Sequence, residues 1–200
     1  MMKAVMPEVL PDIRAYRQRT GADRWDEMWE GVLHMPPMPN RTHQEFEGEL
    51  ETWLRTHWAR PNGNKVYHQI NLASPGGWPN NYRIPDLLLL TPDRFGIDHN
   101  EYFEGPPLVV VEIRSPGDET IEKIPFYAEI GVPEVWIVDR DTKVPELYVL
   151  EGADYTKAKP DDDGWFHSAA AGVDFRPEPG QKLAIQIAGQ PNTKQRLPED

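Results

Sequence analysis

The stretch that most constrains this chain is Leu108-Val109-Val110-Val111-Glu112-Ile113-Arg114. Gly105-Pro106-Pro107 precede it, and Ser115-Pro116-Gly117 follow. Aliphatic and β-branched residues between such breakers read as a buried central strand. The apolar run meets a charge at Glu112. Side chains alternate along a strand, so Glu112 and Arg114 share a face, with Val110 behind them. A carboxylate is costly to bury unless a metal ion, a cation or a solvated cleft compensates its charge. A second run, Arg83-Ile84-Pro85-Asp86-Leu87-Leu88-Leu89-Leu90-Thr91-Pro92, is again a short apolar strand between prolines, and it opens on Asp86. If the two strands pair in one sheet, Asp86 and Glu112 can converge on one hard cation. Oxygen ligands of this kind suit Mg2+ or Mn2+.

Composition narrows the setting. With 200 residues, one compact domain over residues 1–189 is expected, followed by a polar tail at 190–200. The chain has no cysteine, which excludes disulfides and thiolate zinc sites and favours a cytoplasmic setting. There is no long apolar core before Pro7, so no signal peptide is expected. No apolar run approaches the ~20 residues that span a bilayer, so no membrane partner is expected. The net charge of −12 argues against a protein that coats nucleic acid by general electrostatics. It leaves room for a nuclease, in which metal ions and a local basic patch face the phosphates.

Taken in order, Pro7 to Thr20 can form a short helix. Trp25 to Met35 reads as a hairpin turning at Glu30-Gly31. The clearest helix follows Pro36–Pro39, with Asn40 or Thr42 as N-cap and Glu45 placed for a capping box with Thr42. Phe46, Leu50, Trp53 and Leu54 recur at helical spacing and should face the core. His43 and Glu47, four apart, are either a solvated or interfacial pair, or one of them reaches the metal cleft. Lys65 to Leu72 alternates as one strand, and Pro92 to Pro107 reads as a mobile loop. A helix capped by Asp118 or Thr120 carries Lys123, Tyr127 and Ile130, and Gly131 stops it. Strand Glu134 to Asp139 comes next, which makes a strand–helix–strand crossover. Strands at Pro145 to Leu150 and Leu183 to Ile187 have antiparallel character. Asp161-Asp162-Asp163-Gly164 lacks the spacing of a calcium loop and reads as a solvated turn.

Three segments carry a resemblance: Ile84-Pro85-Asp86, then Val111-Glu112-Ile113-Arg114-Ser115-Pro116-Gly117-Asp118, then Lys123 through Asp139 with Tyr127, Gly131-Val132 and Glu134-Val135-Trp136-Ile137. Together they resemble the Uma2 family, in the PD-(D/E)XK restriction-endonuclease-like superfamily. The resemblance implies an α/β (α+β) fold, a mixed sheet flanked by helices with additional N-terminal and C-terminal antiparallel strands. It also implies Mg2+- or Mn2+-dependent hydrolysis of DNA phosphodiesters. Asp86, Glu112 and the backbone carbonyl of Ile113 would hold the metal, with Asp86, Glu112 and Lys123 catalytic. The superfamily's usual Lys lies two residues after the Glu, where this chain has Arg114. That residue stays protonated and can clamp a phosphate but cannot act as a base. Lys123 looks like the displaced catalytic Lys, and His43 and Glu47 are auxiliary candidates.

Plainer roles stand beside these: an ion pair for Glu112 and Arg114, a turn cap for Asp86, packing for Tyr127. A catalytically silent binding or assembly module on the same fold is the competing function, favoured by the acidic balance and by Trp58, Trp78 and Trp165, which are expected to be exposed. A basic rim of Arg83, Arg94, Arg114 and Lys123 would favour phosphate binding. A homodimer is expected, because cutting two strands calls for two sites.

Overall fold

The computed structural model of the chain describes residues 4–6, 11–21 and 23–199. Its centre is a six-stranded sheet. The strands are β4 (Lys65–His68), β7 (Leu87–Leu90), β9 (Val109–Arg114), β10 (Glu134–Asp139), β11 (Pro145–Glu151) and β12 (Asp154–Lys157). They run in the order β12-β11-β10-β9-β7-β4. Only β9 and β10 are parallel, and the crossover between them carries helix α4 (Ile124–Glu129) behind a 3-10 turn at Ile121–Lys123. The β7–β9 pairing is antiparallel, with Leu87 opposite Val111. One step further along this register brings Asp86 beside Glu112.

Both faces of the sheet are covered, which is why its central strands read as unbroken apolar runs. Leu87, Leu89, Val109, Val111 and Ile113 face one layer. That layer contains helix α2 (Arg41–Trp53), its π-helical continuation Leu54–Ala59, and the C-terminal sheet. A short helix α3 (Arg60–Asn62) ends the α2 arm at Gly63, whose φ of 69° gives the left-handed cap. Leu88, Leu90, Val110, Val135 and Ile137 face the other layer with Phe126, Tyr127 and Ile130 of the α4 segment. Leu87 to Leu90 are fully buried, and each such side chain stabilises the fold by about 1.5–3 kcal/mol.

A second six-stranded sheet has the order β1-β3-β2-β6-β5-β8. It comprises β1 (Ala4–Met6), β2 (Glu27–Trp29), β3 (Val32–Met35), β5 (Asn71–Ala73), β6 (Tyr82–Arg83) and β8 (Tyr102–Glu104). The β2–β3 hairpin turns at Glu30-Gly31, with positive φ at both (51° and 85°), as a two-residue turn matched to strand twist requires. Helix α1 occupies Pro11–Thr20; the residues from Pro7 expected to begin it lie outside the described ones.

Three expectations are corrected. Lys65 to Leu72 is not one strand: Gln69 takes φ 46°, and the chain turns from β4 into β5 of the other sheet. Pro92 to Pro107 is not a bare loop: it holds a 3-10 helix (Pro92–Ile97) and β8, which pairs parallel to β5. The segment expected as a polar tail is strand β16 (Gln190–Leu197). It joins β13 (Phe166–Ser168), β14 (Val173–Glu178) and β15 (Lys182–Ile187) in a four-stranded antiparallel sheet. Composition hid β16 because most of its side chains face water. Leu197 and Thr193 turn inward, and the Thr193 carbonyl accepts from Trp53 Nε1 at 3.0 Å.

Candidate active site

Three elements meet where β7 begins and β9 ends. Helix α2 starts at Asn40, whose side chain accepts from the His43 amide at 2.9 Å, so the cap is Asn40 rather than Thr42. That start fixes His43 and Glu47, one turn apart, on the side facing β7. Both are buried, at 7% and 4% exposed, so the solvated reading of this pair fails. His43 Nε2 lies 2.9 Å from Asp86 Oδ1 and 3.7 Å from Glu47 Oε2. One ligand atom from each of His43, Glu47 and Asp86 falls within 4.8 Å of the others. Asp86 Oδ2 also accepts from the backbone amide of Ile113 at 2.6 Å, which places that peptide against the carboxylate.

Glu112 projects from β9 into the same cleft, 3% exposed. Lys123 Nζ is 3.2 Å from its Oε1, and the Tyr127 hydroxyl donates to that oxygen. Lys123 in turn lies 2.8 Å from Glu27 Oε1 and donates to the Ile84 carbonyl at 3.3 Å. Glu27 is itself fixed by the Ile84 amide at 2.8 Å and by Trp29 Nε1 at 2.7 Å. Asp86, Glu112 and Lys123 thus line one cleft of about 140 Å³, together with His43, Glu27 and Ile113.

The electrostatics are those of crowded carboxylates in a dry place. Burial pushes Glu47 up to about 8, and the charge of Asp86 adds to the effect. Burial likewise pushes Glu112 up to about 8, against the pull of Lys123. Lys123 is held as an ammonium, because Glu112 and Glu27 outweigh its own desolvation. Two buried atoms, His43 Nδ1 and Glu47 Oε1, have no hydrogen-bond partner. Buried polar atoms are seldom left so. An imidazole and two carboxylates brought within 4.8 Å of one another fit a divalent cation.

Sequence reasoning found Asp86, Glu112, Lys123 and the His43–Glu47 pair. It did not name Glu27 among them; Tyr127 packs in the core as expected and also donates to Glu112. The readable signal for Glu27 is a carboxylate in an apolar hairpin, Glu27-Met28-Trp29, before Glu30-Gly31. Arg114 is not in the cleft. It stands on the Glu112 face but reaches across to β11, 3.2 Å from Glu146 and 3.8 Å from Asp139. Of the four residues whose basic rim would favour phosphate binding, Lys123 lines the cleft and Arg83, Arg94 and Arg114 do not. Arg83 is buried between the rings of Trp29 and Phe126, 4.3 and 4.2 Å from their centroids. Arg94 donates to the Pro106 carbonyl at 3.0 Å. Trp58 is buried rather than exposed, and its Nε1 donates to the Ala171 carbonyl.

The family model Uma2, described as putative restriction endonuclease, matches residues 13–179. The chain belongs to the Uma2 family. Among solved structures, it is similar to a putative nuclease of DUF820 from Anabaena variabilis ATCC 29413. The identity is 16%, the TM-score is 0.58, and the match covers 73% of this chain and 83% of that one. At that identity the likeness shows the fold, a restriction-endonuclease-like mixed sheet with flanking helices. No curated protein matches the chain. In this Uma2 member, no helix among the described residues is long and apolar enough to cross a membrane.

Proposed function

We propose that this Uma2 protein is a metal-dependent endodeoxyribonuclease. The observation that carries the reading is the meeting of His43, Glu47 and Asp86, within 4.8 Å of one another, beside the Glu112–Lys123 pair. Asp86, Glu47 and His43 would hold the ion, and Glu112 and the Ile113 carbonyl are the further oxygen donors of the same cleft. A bound divalent ion supplies Lewis acidity toward the phosphate and lowers the pKa of water. The imidazole moves the preference from Mg2+ toward Mn2+.

The protein's own groups do the rest. Lys123, kept charged by two carboxylates, supplies positive charge for the scissile phosphate and is not a base. Glu27 holds Lys123 from the hairpin side, and Tyr127 fixes the orientation of Glu112. Water adds to phosphorus, and the bond from phosphorus to one sugar oxygen breaks. Two strands need two such sites, so a homodimer is the working form we propose.

The test is supercoiled plasmid incubated with metal-stripped protein, then with Mn2+ or Mg2+, beside Asp86→Asn and Glu112→Gln. Nicking should appear only with metal and vanish in both variants. Equal trace cutting by all three proteins would sink the reading. One observation favours a silent binding module instead: Arg83, Arg94 and Arg114 all serve structural contacts, leaving few cations to meet DNA. That reading predicts metal binding with no cutting.

A further inference from the structure

A second concave site lies at the far end of the α2 arm. It is a cavity of about 280 Å³ at the edge strand β4, lined by Arg55, Arg60, Lys65, Asn64 and Tyr67 among others. Three cations line it, and no described carboxylate does. The active cleft is the opposite, with five carboxylates on its lining: Glu27, Asp86, Glu112, Asp118 and Glu119. In a chain of net charge −12, a cavity with this lining is a local anion site. Two of its three cations, Arg60 and Lys65, make no ion pair with a described residue. The Lys65 ammonium rests 4.6 Å from the Phe95 centroid. Arg55 is paired with Glu51 at 2.7 Å.

This cavity is joined to the active cleft by one row of side chains. His43, Glu47, Glu51 and Arg55 are four apart and so lie along one side of the helical arm. His43 and Glu47 are at the cleft; Arg55 is at the cavity. His68 of β4 bridges the row, 3.9 Å from Glu47 and 3.7 Å from Glu51. Its side chain is 56% exposed, so solvent reaches this end of the row at His68, while His43 and Glu47 stay buried. Glu47 and Arg55, eight residues apart, are separated by about 12 Å along the helix axis. A stacked nucleic acid strand advances about 3.4 Å per nucleotide, so 12 Å is roughly three to four nucleotides.

We propose that the Arg55–Arg60–Lys65 cavity is a phosphate subsite for the substrate strand, about three to four nucleotides from the scissile phosphate. This rests on the nuclease reading and adds the path of the strand to it. The acidic cleft repels the backbone it must cut unless metal is bound. A cationic foothold one helix arm away anchors the strand and fixes its register.

The experiment measures DNA affinity by fluorescence anisotropy, with Mn2+ present, on the Glu112→Gln background so that the strand is bound but not cut. Arg60→Gln, Lys65→Gln and the double variant are compared, all at exposed positions, with thermal melting as the check on folding. One labelled strand reaches well past the cut on both sides; a second stops two nucleotides from it. The double variant should bind the long strand more weakly, and its slope of log affinity against log salt should be shallower by about 1.4–1.8. The short strand should bind all variants alike. An unchanged slope and affinity for the long strand overturns the subsite. Inorganic phosphate is tested separately: binding that Arg60→Gln and Lys65→Gln abolish, with DNA affinity unmoved, makes the cavity a free-anion site and also overturns it. If the parent protein cuts DNA and only the subsite variants behave like it, the nuclease reading survives without this path. If the parent neither binds nor cuts DNA, both fall.

Discussion

Glu112 and Glu134 stand on neighbouring parallel strands, β9 and β10, and are buried to the same degree, 3% and 2% exposed. Their surroundings differ in kind. Glu134 is met by neutral donors only: the Ser168 hydroxyl, the Ala170 amide at 2.9 Å and Trp136 Nε1 at 3.2 Å. It ties the central sheet to the C-terminal sheet through β13 and the turn after it. Glu112 faces an ammonium, a phenol and, nearby, further carboxylates. One carboxylate is fully satisfied by its protein and holds two layers together. The other sits beside an ammonium and in the group that we propose holds a cation. Burial alone therefore does not separate a structural carboxylate from a chemical one; the state of its partners does.

The comparison predicts opposite failures. Glu112→Gln should lower metal-dependent cutting by at least about 10³-fold, since the lost charge stabilisation is worth several kcal/mol at 1.36 kcal/mol per decade. Glu134→Gln, in folded protein, should cut like wild type; plasmid nicking reads both, and a matching loss at Glu134 would break the contrast. Glu134→Ala should act on stability instead. It strands three buried donors and should cost about 3 kcal/mol, a fall of about 6–12 °C in melting temperature for a chain of this size. A melting curve unmoved by this change would mean the two sheets are held together elsewhere.

Tyr127→Phe sharpens the contrast on the Glu112 side. Losing an outer partner of a ligand typically costs 10–100-fold. We expect the fall in single-turnover rate with little change in melting, because the ring keeps its packing beside Phe126. A rate equal to wild type would return Tyr127 to pure packing.

The smallest effect lies on the exposed face of the C-terminal sheet. His167 is hydrogen-bonded to Asp174 and Asp161, at 2.8 and 2.9 Å, and these bonds raise its pKa above the usual 6.5. A raised folded-state value favours the protonated native state. The stabilisation is complete below the unfolded value and is lost as pH rises through the folded one. His167 is half exposed, so solvent screening keeps the contribution under about 1 kcal/mol. Urea titrations on either side of that range should show the loss in wild type and not in His167→Asn. An identical loss in the variant would place the titrating group elsewhere.

Much of this was legible because the chemistry interrupts strong patterns. Glu112 ends a β-branched run and Asp86 opens a leucine run, so their strands follow from alternation and breakers, while their pairing, and with it the convergence of the two carboxylates, comes from the sheet register. His43 and Glu47 are readable as neighbours from helical spacing, but only the Asn40 cap and the packing of α2 turn them to Asp86. Arg114 shows the limit. Alternation gives its face correctly, yet a long side chain reaches across strands, and Glu146 lies too far along the sequence to be anticipated. The fate of Arg83 and Arg94 was hidden for a like reason, since exposure of an arginine depends on which rings and carbonyls the fold delivers to it. Strand β16 escaped because an outer strand with one wet face carries almost no apolar signal.

The central claim, that the group around Asp86 binds a divalent cation, is tested most directly by calorimetry. Mn2+ would be titrated into metal-stripped wild type, Asp86→Asn and Glu134→Gln. The account predicts saturable heat in wild type and in Glu134→Gln, and its loss in Asp86→Asn. No saturable heat in wild type, or equal heat in Asp86→Asn, would contradict it.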